Sequence, residues 1–580
     1  MIRVNHQVLK DKEYIFVDFF DTIMFRSVHS QQMLPLWARA LSAKLGIAQE
    51  RLIRARKSAI KRENRNECAI PYKILCSHIY SQLQNIIPDV TQDEFYRLSL
   101  EIETYIEFSV QYINKEMLNF LKKQKQQGKK IVLVTDFYLP GKTYQVFMQK
   151  CNLCDLVDCV YCSSDIGKTK YDDGELYGVV LESLNISPAQ VFMIGDRTQP
   201  DVENANKFGI AAIRYFPIVH KLWTNFCKFF IRDCSVIAHR TIKKEAQKNC
   251  PFGAYIFPLA YTIKKLNTRL YEESQNANFL SRGGYFLKIL FDTYEDLVIP
   301  NAQKIKSFYV HNARKVNEKA KNNEKDRNLL RKYLQKFMKD DTFCFVDEGW
   351  NGHGQMIFTQ NLDLKTKGFY LGLFQNPPIQ NCQREGLLFE KSAKQESPLY
   401  GVFRTNCTLY EQLLTAPHGS VEAYRENDTG KIEAVCKYNE VEQQLYTNYT
   451  AAIQKQLLDY AKSLFVCGCD FNLYDCGKIV LKELLFANYS KRQILLQYDK
   501  SYYNNSDDSE EKNFGTISSI KISVLDMIVN PENYLRYFCK LRQIFHSKAA
   551  YALYLPIGVI LYCYLKISIL VKWLIKGASF

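Results

Sequence analysis

Short apolar runs alternate with amphipathic stretches over residues 12–216. YIFVD (14–18), KIVLVTD (130–136), DCVYCSSD (158–165), QVFMIGD (190–196) and IAAIRYF (210–216) read as strands, with helical spacing between the later ones. This alternation predicts a parallel sheet covered on both faces by helices. Residues 31–110, including QQMLPLWARALSAKLG and PYKILCSHIYSQLQNII, are helical in pattern and follow the first strand. They are too long for a plain crossover, so a helical cap is expected over about residues 27–115.

The pattern then changes. Residues 221–250, rich in aromatic and basic side chains, read as a helical linker that follows a first domain over 1–220. A second α/β alternation is carried by NFLSRGG (278–284), SFYVHN (307–312), FCFVDEGWNG (343–352) and GFYLGLF (368–374), which places a second Rossmann-like domain at 251–440. Residues 313–340 are dense in Lys, Arg and Glu at helical spacing, as on a solvated helix with i,i+4 ion pairs. A helical region is expected over 441–545, with NNSDDSEEKN (504–513) as an exposed polar loop. The final segment, 546–580, contains the apolar run AAYALYLPIGVILYCYL, interrupted by Pro556 and followed by Lys566, Lys572 and Lys576. A spanning helix needs about 20 apolar residues. Lysines among apolar residues suit a helix lying in an anionic interface, so an anionic membrane surface is an expected partner.

At 580 residues the chain exceeds one ordinary core. Hydrophobic residues at 47% and charged residues at 24% are globular usage. The 18 cysteines are scattered, and the N-terminus has no apolar signal-like region, so a cytoplasmic, bacterial-type setting is expected, peripheral on the inner membrane face if the tail binds lipid. A net charge of +16 favours anionic partners. No nucleic-acid-reading motif accompanies it, so phosphorylated small molecules are the expected partners rather than nucleic acid.

Four motifs in the first domain carry chemistry. Asp18 begins Asp18-Phe19-Phe20-Asp21-Thr22 at a strand end, where a carboxylate can attack phosphorus. Thr135 ends KIVLVT, where a hydroxyl can hold a phosphoryl oxygen. SSDIGKTK supplies a lysine to neutralise nucleophile and phosphate. GDRTQPD places Asp196 and Asp201 five residues apart after a strand, where they can hold Mg²⁺, an oxygen-seeking ion. Each motif alone is common; all four in order at strand C-termini point to phosphoryl transfer.

With these motifs, DFFDT, VTDFYLP, SSDIGKTKYDDGELY and GDRTQPDVENANKFGI, the segment 12–216 resembles the haloacid dehalogenase-like (HAD) superfamily. The likeness is to a bacterial subgroup with a DxFDT first motif, whose members often accompany glycosyltransferases in surface-polysaccharide gene clusters. The resemblance implies a Rossmann-like parallel sheet with a C1-type helical cap. It implies Asp18 as nucleophile, Thr135 as phosphate-binding hydroxyl, Lys170 as the lysine with Lys168 as competitor, and Asp196 and Asp201 as Mg²⁺ ligands alongside Asp18 and the backbone carbonyl of Phe20. Thr22 and Asp136 are expected at the substrate. The chain departs from the family at Phe20, where phosphatases carry an acid–base Asp. Asp21 stands one place later, and a one-residue shift at a strand end redirects a side chain. Loss of acid–base help costs about 10²–10⁴-fold. Either Asp21 swings in, or the substrate has a good leaving group, or the domain binds phosphate with little turnover.

FLSRGG, YVHNARK, VDEGWNGHGQ and TAPHGS resemble blocks in longer members of the same subgroup, with Gly283 in place of Asp and His311-Asn312 in place of Ser-Arg. Arg282 and Asp347, each at a strand end before glycines, are candidate substrate-binding residues there. Cys151, Cys154, Cys159 and Cys162 form CxxC pairs too closely spaced for a zinc ribbon. His353 and His418 read as solvated loop histidines. The expected activity is a Mg²⁺-dependent HAD-type phosphohydrolase or phosphotransferase. It would act through an aspartyl-phosphate on a small phosphorylated substrate, a sugar phosphate or lipid-linked sugar in surface-polysaccharide biosynthesis, with glycosyltransferases as partners. The alternative is a catalytically weak phosphosugar-binding accessory protein of a glycan-assembly complex. Carbon–halogen hydrolysis is disfavoured by the Asp196/Asp201 pair, which dehalogenases do not need.

Overall fold

In the computed structural model, residues 6–486 are described apart from 152, 232, 392–398 and 469–470, together with 548–575. The expected loop at 504–513 and much of the expected helical region at 441–545 lie outside the described residues. The chain divides into two compact units. The first gathers Met1–Asn249 with the short segments 296–302 and 462–469; the second holds the rest.

The sheet of the first unit is built from β1 (Tyr14–Val17), β4 (Lys130–Thr135), β5 (Cys159–Cys162), β6 (Val191–Gly195) and β7 (Ala211–Arg214), with β2 (Met24–Arg26) and β3 (Gln111–Ile113) set apart as a pair. Its order is β5-β4-β1-β6-β7, and all neighbours are parallel. On one face of this sheet, Phe16, Val132, Val134, Val191 and Met193 are buried against Leu176, Tyr177 and Val180 from the helix Glu175–Leu184. β1 is central, and the order reverses around it, the arrangement that opens a ligand crevice at strand C-termini.

The cap is the helices Met33–Leu45, Gln49–Glu63, Tyr72–Leu83 and Gln92–Val110. β2 and β3 pair antiparallel at its base, so the chain leaves and re-enters the core side by side. Thr91 and Glu94 form a reciprocal capping box that starts the last cap helix. Inside the cap, Arg56 donates to both oxygens of Glu103 at 2.8 and 2.9 Å, and Tyr72 donates to Glu103 at 2.7 Å. At the neck, Arg26 grips Glu107 through two bonds of 2.8 and 3.0 Å. Both pairs are buried, so removing one partner would leave an uncompensated charge.

The second unit has a five-stranded parallel sheet ordered β12-β11-β10-β8-β9. Its strands are β8 (Ala277–Leu280), β9 (Ser307–Val310), β10 (Thr342–Trp350), β11 (Lys365–Leu373) and β12 (Cys382–Glu390). A hairpin follows, β13 (Val421–Glu426) with β14 (Ile432–Cys436), and its Val421, Tyr424 and Ile432 join the core on one face of the sheet. The expected mixed α/β class with two parallel sheets and a helical C-terminal region is thus observed. The last described helix, Lys548–Ile575, carries Pro556 inside it. Among the described residues, no helix is long and apolar enough to cross a membrane.

Candidate functional site

Three strand ends of the first unit lie side by side because β1 hydrogen-bonds to β4 on one edge and β6 on the other. Asp18 follows Val17 at the tip of β1, and its amide donates to the Ile194 carbonyl at 2.9 Å. Asp196 follows Gly195 at the tip of β6. A Cβ on Gly195 would sit 2.2–2.5 Å from the Asp201 side chain, so only glycine lets Asp201 tuck against the strand end. Asp201 is also held by the Arg197 amide at 2.9 Å.

Lys170 is buried, and its ammonium donates to Asp18 Oδ1 at 2.7 Å and Asp201 Oδ1 at 2.6 Å. Its loop is fixed from two sides. Asp136 accepts the Lys170 and Tyr171 amides at 2.8 and 3.1 Å, and Asn204 donates to the carbonyls of the same two residues at 2.7 and 3.1 Å. Lys168 is half-exposed and pairs with Glu175 instead. Asp18, Asp196 and Asp201, all buried, bring one carboxylate oxygen each within 4.8 Å of one another. Such a set of hard oxygen donors fits Mg²⁺.

The electrostatics follow from burial. Desolvation, augmented by Asp201 and Asp196, pushes the Asp18 carboxyl up to about 7 despite the opposing charge of Lys170. Burial also raises Asp196 and Asp136. For Lys170, burial works against the charged form, but Asp18 and Asp201 overrule it and hold the ammonium well above its ordinary value.

The residues expected at the substrate take different places. Thr135 is fully buried, with its hydroxyl 3.2 Å from that of Tyr144. Both carboxylate oxygens of Asp136 are occupied by the Lys170 loop, which makes it a positioning group for that lysine. The buried Thr22 hydroxyl has no hydrogen-bond partner, while its carbonyl accepts from Asn114 at 2.8 Å. Phe20 packs its ring under the Arg26 guanidinium, 3.7 Å from centroid to Cζ, and against Phe137 at 4.5 Å. The left-handed φ of 57° at Asp21 turns the chain there, and its carboxylate accepts from His220 at 2.9 Å and Lys221 at 2.9 Å. Burial would raise Asp21, but the His220 bond and the Lys221 charge hold it well below the usual carboxylate range.

His220 and Lys221 were not expected at the site: one closes the expected first domain and the other opens the stretch read as a linker. They lie on the helix Ile218–Phe230, and Lys221 bridges Asp21 to Asp196 at 2.6 Å. The available signal was inverted. The helix buries His220, Thr224 and Cys227 while exposing Val219, Leu222, Trp223, Phe226, Phe229 and Phe230. A cleft of about 970 Å³ lies beside this helix, walled by Phe25, Tyr112, Tyr215, Val219, His220 and Trp223. None of Asp18, Lys170, Asp196 or Asp201 lines it.

In the second unit, Arg282 donates to Glu442 at 2.9 Å. A Cβ on Gly283 would lie 1.9 Å from Glu348 Oε2, so an Asp here, as in the resembled block, would require the Glu348 carboxylate to move aside. Asp347 is pushed up to about 7 by burial, with its own side chain accepting the Glu348 amide at 2.9 Å. His418 is not a solvated loop residue. It is half-buried, with Nε2 2.8 Å from the Tyr309 hydroxyl. The expected solvation fails because TAPHGS leads straight into β13, which packs on the core.

Residues 77–215 match the family described as haloacid dehalogenase-like hydrolase. Among solved structures, a 2-haloacid dehalogenase from Pseudomonas syringae pv. Tomato is similar at 17% identity, over 35% of this chain and 86% of its own, with a TM-score of 0.27. A HAD phosphatase from Thermococcus onnurineus is similar at 19% identity, over 35% and 85%, with a TM-score of 0.25. A HAD family enzyme from Bacteroides thetaiotaomicron, in complex with magnesium and inorganic phosphate, is similar at 12% identity, over 35% and 93%, with a TM-score of 0.24. A search of curated proteins finds no match. Residues 77–215, within the first unit, are thus similar in sequence to haloacid dehalogenase-like hydrolases.

Proposed function

We propose that the first unit hydrolyses or transfers the phosphoryl group of a small phosphorylated substrate, with Asp18 as nucleophile. One observation carries this reading: Asp18 stands at a strand tip, ion-paired to a buried lysine and clustered with two further buried carboxylates. An Asp18 oxygen would bond to phosphorus as the bond to the leaving oxygen breaks. Water would then attack the aspartyl-phosphate, release phosphate and restore Asp18. Lys170 is placed to neutralise charge on the nucleophile and the incoming group. Asp18, Asp196 and Asp201 would hold Mg²⁺, which stabilises negative charge on a transferring phosphoryl group.

Neither of the two positions expected to protonate the leaving group offers an acid. Phe20 is apolar, and Asp21 is kept ionised by His220 and Lys221. Substrates with weakly basic leaving groups are therefore favoured. In a panel of phosphate esters, Mg²⁺-dependent release from aryl or acyl phosphates should exceed that from simple alkyl phosphates by on the order of 10²–10⁴-fold. Equal rates across the panel would remove the argument about Phe20. Absence of release, with phosphate-ester binding retained, would support the second reading, a phosphosugar-binding accessory protein, which the buried Phe20 favours.

The resemblance of the motifs supports a sugar phosphate or lipid-linked sugar as the substrate class and glycosyltransferases as partners. An anionic membrane surface is the proposed site of action. The C-terminal helix exposes Leu555, Ile557, Ile560 and Ile567 next to an exposed Lys566, an arrangement suited to an interface. The full chain should sediment with vesicles containing anionic lipid and much less with neutral ones. Truncation before residue 548 should abolish the difference, and equal sedimentation of the truncated chain would exclude this role for the helix.

A further inference from the structure

We propose that His311, His418 and Cys436 of the second unit form a binding site for a divalent transition-metal ion of the zinc type. Their ligand atoms all lie within 4.8 Å of one another. Two imidazoles and a thiol are the borderline and soft donors that select zinc over magnesium or calcium. The set is distinct from the all-oxygen cluster of the first unit.

Three separate stretches of chain deliver these donors, and the fold holds each in place. His311 follows β9 at the C-terminal end of the sheet. Its carbonyl accepts from the Tyr424 hydroxyl at 2.8 Å, and its amide donates to the Tyr333 hydroxyl at 3.1 Å. Cys436 ends β14, opposite Val421 at the start of β13. His418 is brought alongside by the tight closure of that hairpin, where Lys437 N donates to Ser420 O at 2.9 Å. A Cβ on Gly419 would lie 1.9 Å from the Lys437 carbonyl, so only glycine allows the two ends to close this far.

The ring orientations suit coordination. His418 Nδ1 lies 2.9 Å from the Gly419 carbonyl and must donate to it, which in the neutral ring leaves the lone pair on Nε2. Backbone anchoring of one imidazole nitrogen while the other faces the metal is the common outer-shell arrangement of metal-binding histidines. That lone pair now meets the Tyr309 hydroxyl at 2.8 Å, a bond the ion would replace. Cys436 Sγ stands 3.8 Å from His311 Nδ1, and the two imidazole centroids are 4.9 Å apart. All three residues are partly exposed, which gives an ion a path in. Three protein donors leave one tetrahedral position for water or a ligand oxygen. Without a metal, the same contacts would be a thiol–imidazole bond and ring packing, and the experiment separates the two.

The full chain, stripped with chelator, is titrated with Zn²⁺ and separately with Co²⁺. One zinc per chain should raise the melting temperature. Cobalt should give a thiolate-to-metal charge-transfer band together with the strong visible bands of a tetrahedral site. Cys436→Ser should abolish the charge-transfer band, and Cys436→Ser and His418→Asn should each weaken zinc binding by on the order of 100-fold or more. Asp196→Asn, in the other cluster, should leave the band intact. His311→Asn supplies a further ligand variant should either of the others not fold. Absence of the band in the wild type, or its persistence in Cys436→Ser, would overturn the proposal. So would equal zinc stabilisation of the wild type and the ligand variants.

Discussion

Asp18→Asn is expected to lower Mg²⁺-dependent phosphate release on the order of 10⁴-fold, while phosphate-ester binding persists. The substitution keeps the size of the side chain and the amide bond to Ile194 O, so the strand tip should stay in place. What disappears is the attacking oxygen, and with it the covalent route. Removing a member of the catalytic unit in another covalent enzyme costs about 10⁴–10⁶-fold, and 10⁴ is the lower end of that range; the remaining groups still bind and polarise the substrate. The variant also relieves the crowding that pushes the Asp18 carboxyl up to about 7, since one of three clustered carboxylates becomes neutral. It should therefore be at least as stable as the wild type, and a melting curve with parallel turnover measurements checks both halves. Undiminished release would place the nucleophile elsewhere.

Lys170→Met is expected to cost the first unit about 3–5 kcal/mol as well as its activity. The ammonium is 2% exposed and is the direct ion-pair partner of both Asp18 and Asp201. A methionine fills similar volume but leaves two buried carboxylates facing each other without a cation. Two escapes remain, protonation or water entry, and each is costly at neutral pH. Lys168→Met is the matched control. Lys168 is 49% exposed and pairs with a half-exposed Glu175, so its loss should change stability by less than about 1 kcal/mol. Chemical denaturation followed by a probe in the first unit distinguishes the two, and equal effects would show that burial of Lys170 does not matter to stability. Added Mg²⁺ should partly rescue the Lys170 variant if the carboxylates bind the ion, because binding to the native state alone stabilises it.

How far the site could be read in advance depended on the kind of information each residue carries. Asp18 and Asp196 were accessible because each lies just past a strongly apolar run, with Asp201 five residues further on, and a parallel sheet must align the C-terminal ends of its strands. The choice between Lys168 and Lys170 was less accessible. Both lie in one loop, and the outcome turns on Asp136 and Asn204, which seize the backbone around Lys170 from distant elements. His220 and Lys221 were hidden altogether. Their helix turns its aromatic residues outward and its small polar residues inward, the reverse of the usual amphipathic pattern. The His311–His418–Cys436 cluster could not be foreseen either, since His311 lies more than a hundred positions before the other two and meets them only through the closure of a hairpin.

By itself the sequence determined the local elements: the apolar period that makes strands and helices, the cap inserted after the first strand, and the acidic residues left at strand ends. Those follow from side-chain burial, which acts on neighbours along the chain. The tertiary structure decided the pairings. It chose which lysine is buried, turned Asp21 toward Lys221, seated Phe20 under Arg26, and let Gly283 make room for Glu348. Such choices depend on distances between segments remote in sequence, and electrostatic and steric energies change steeply over a few ångströms, a scale that residue order does not encode.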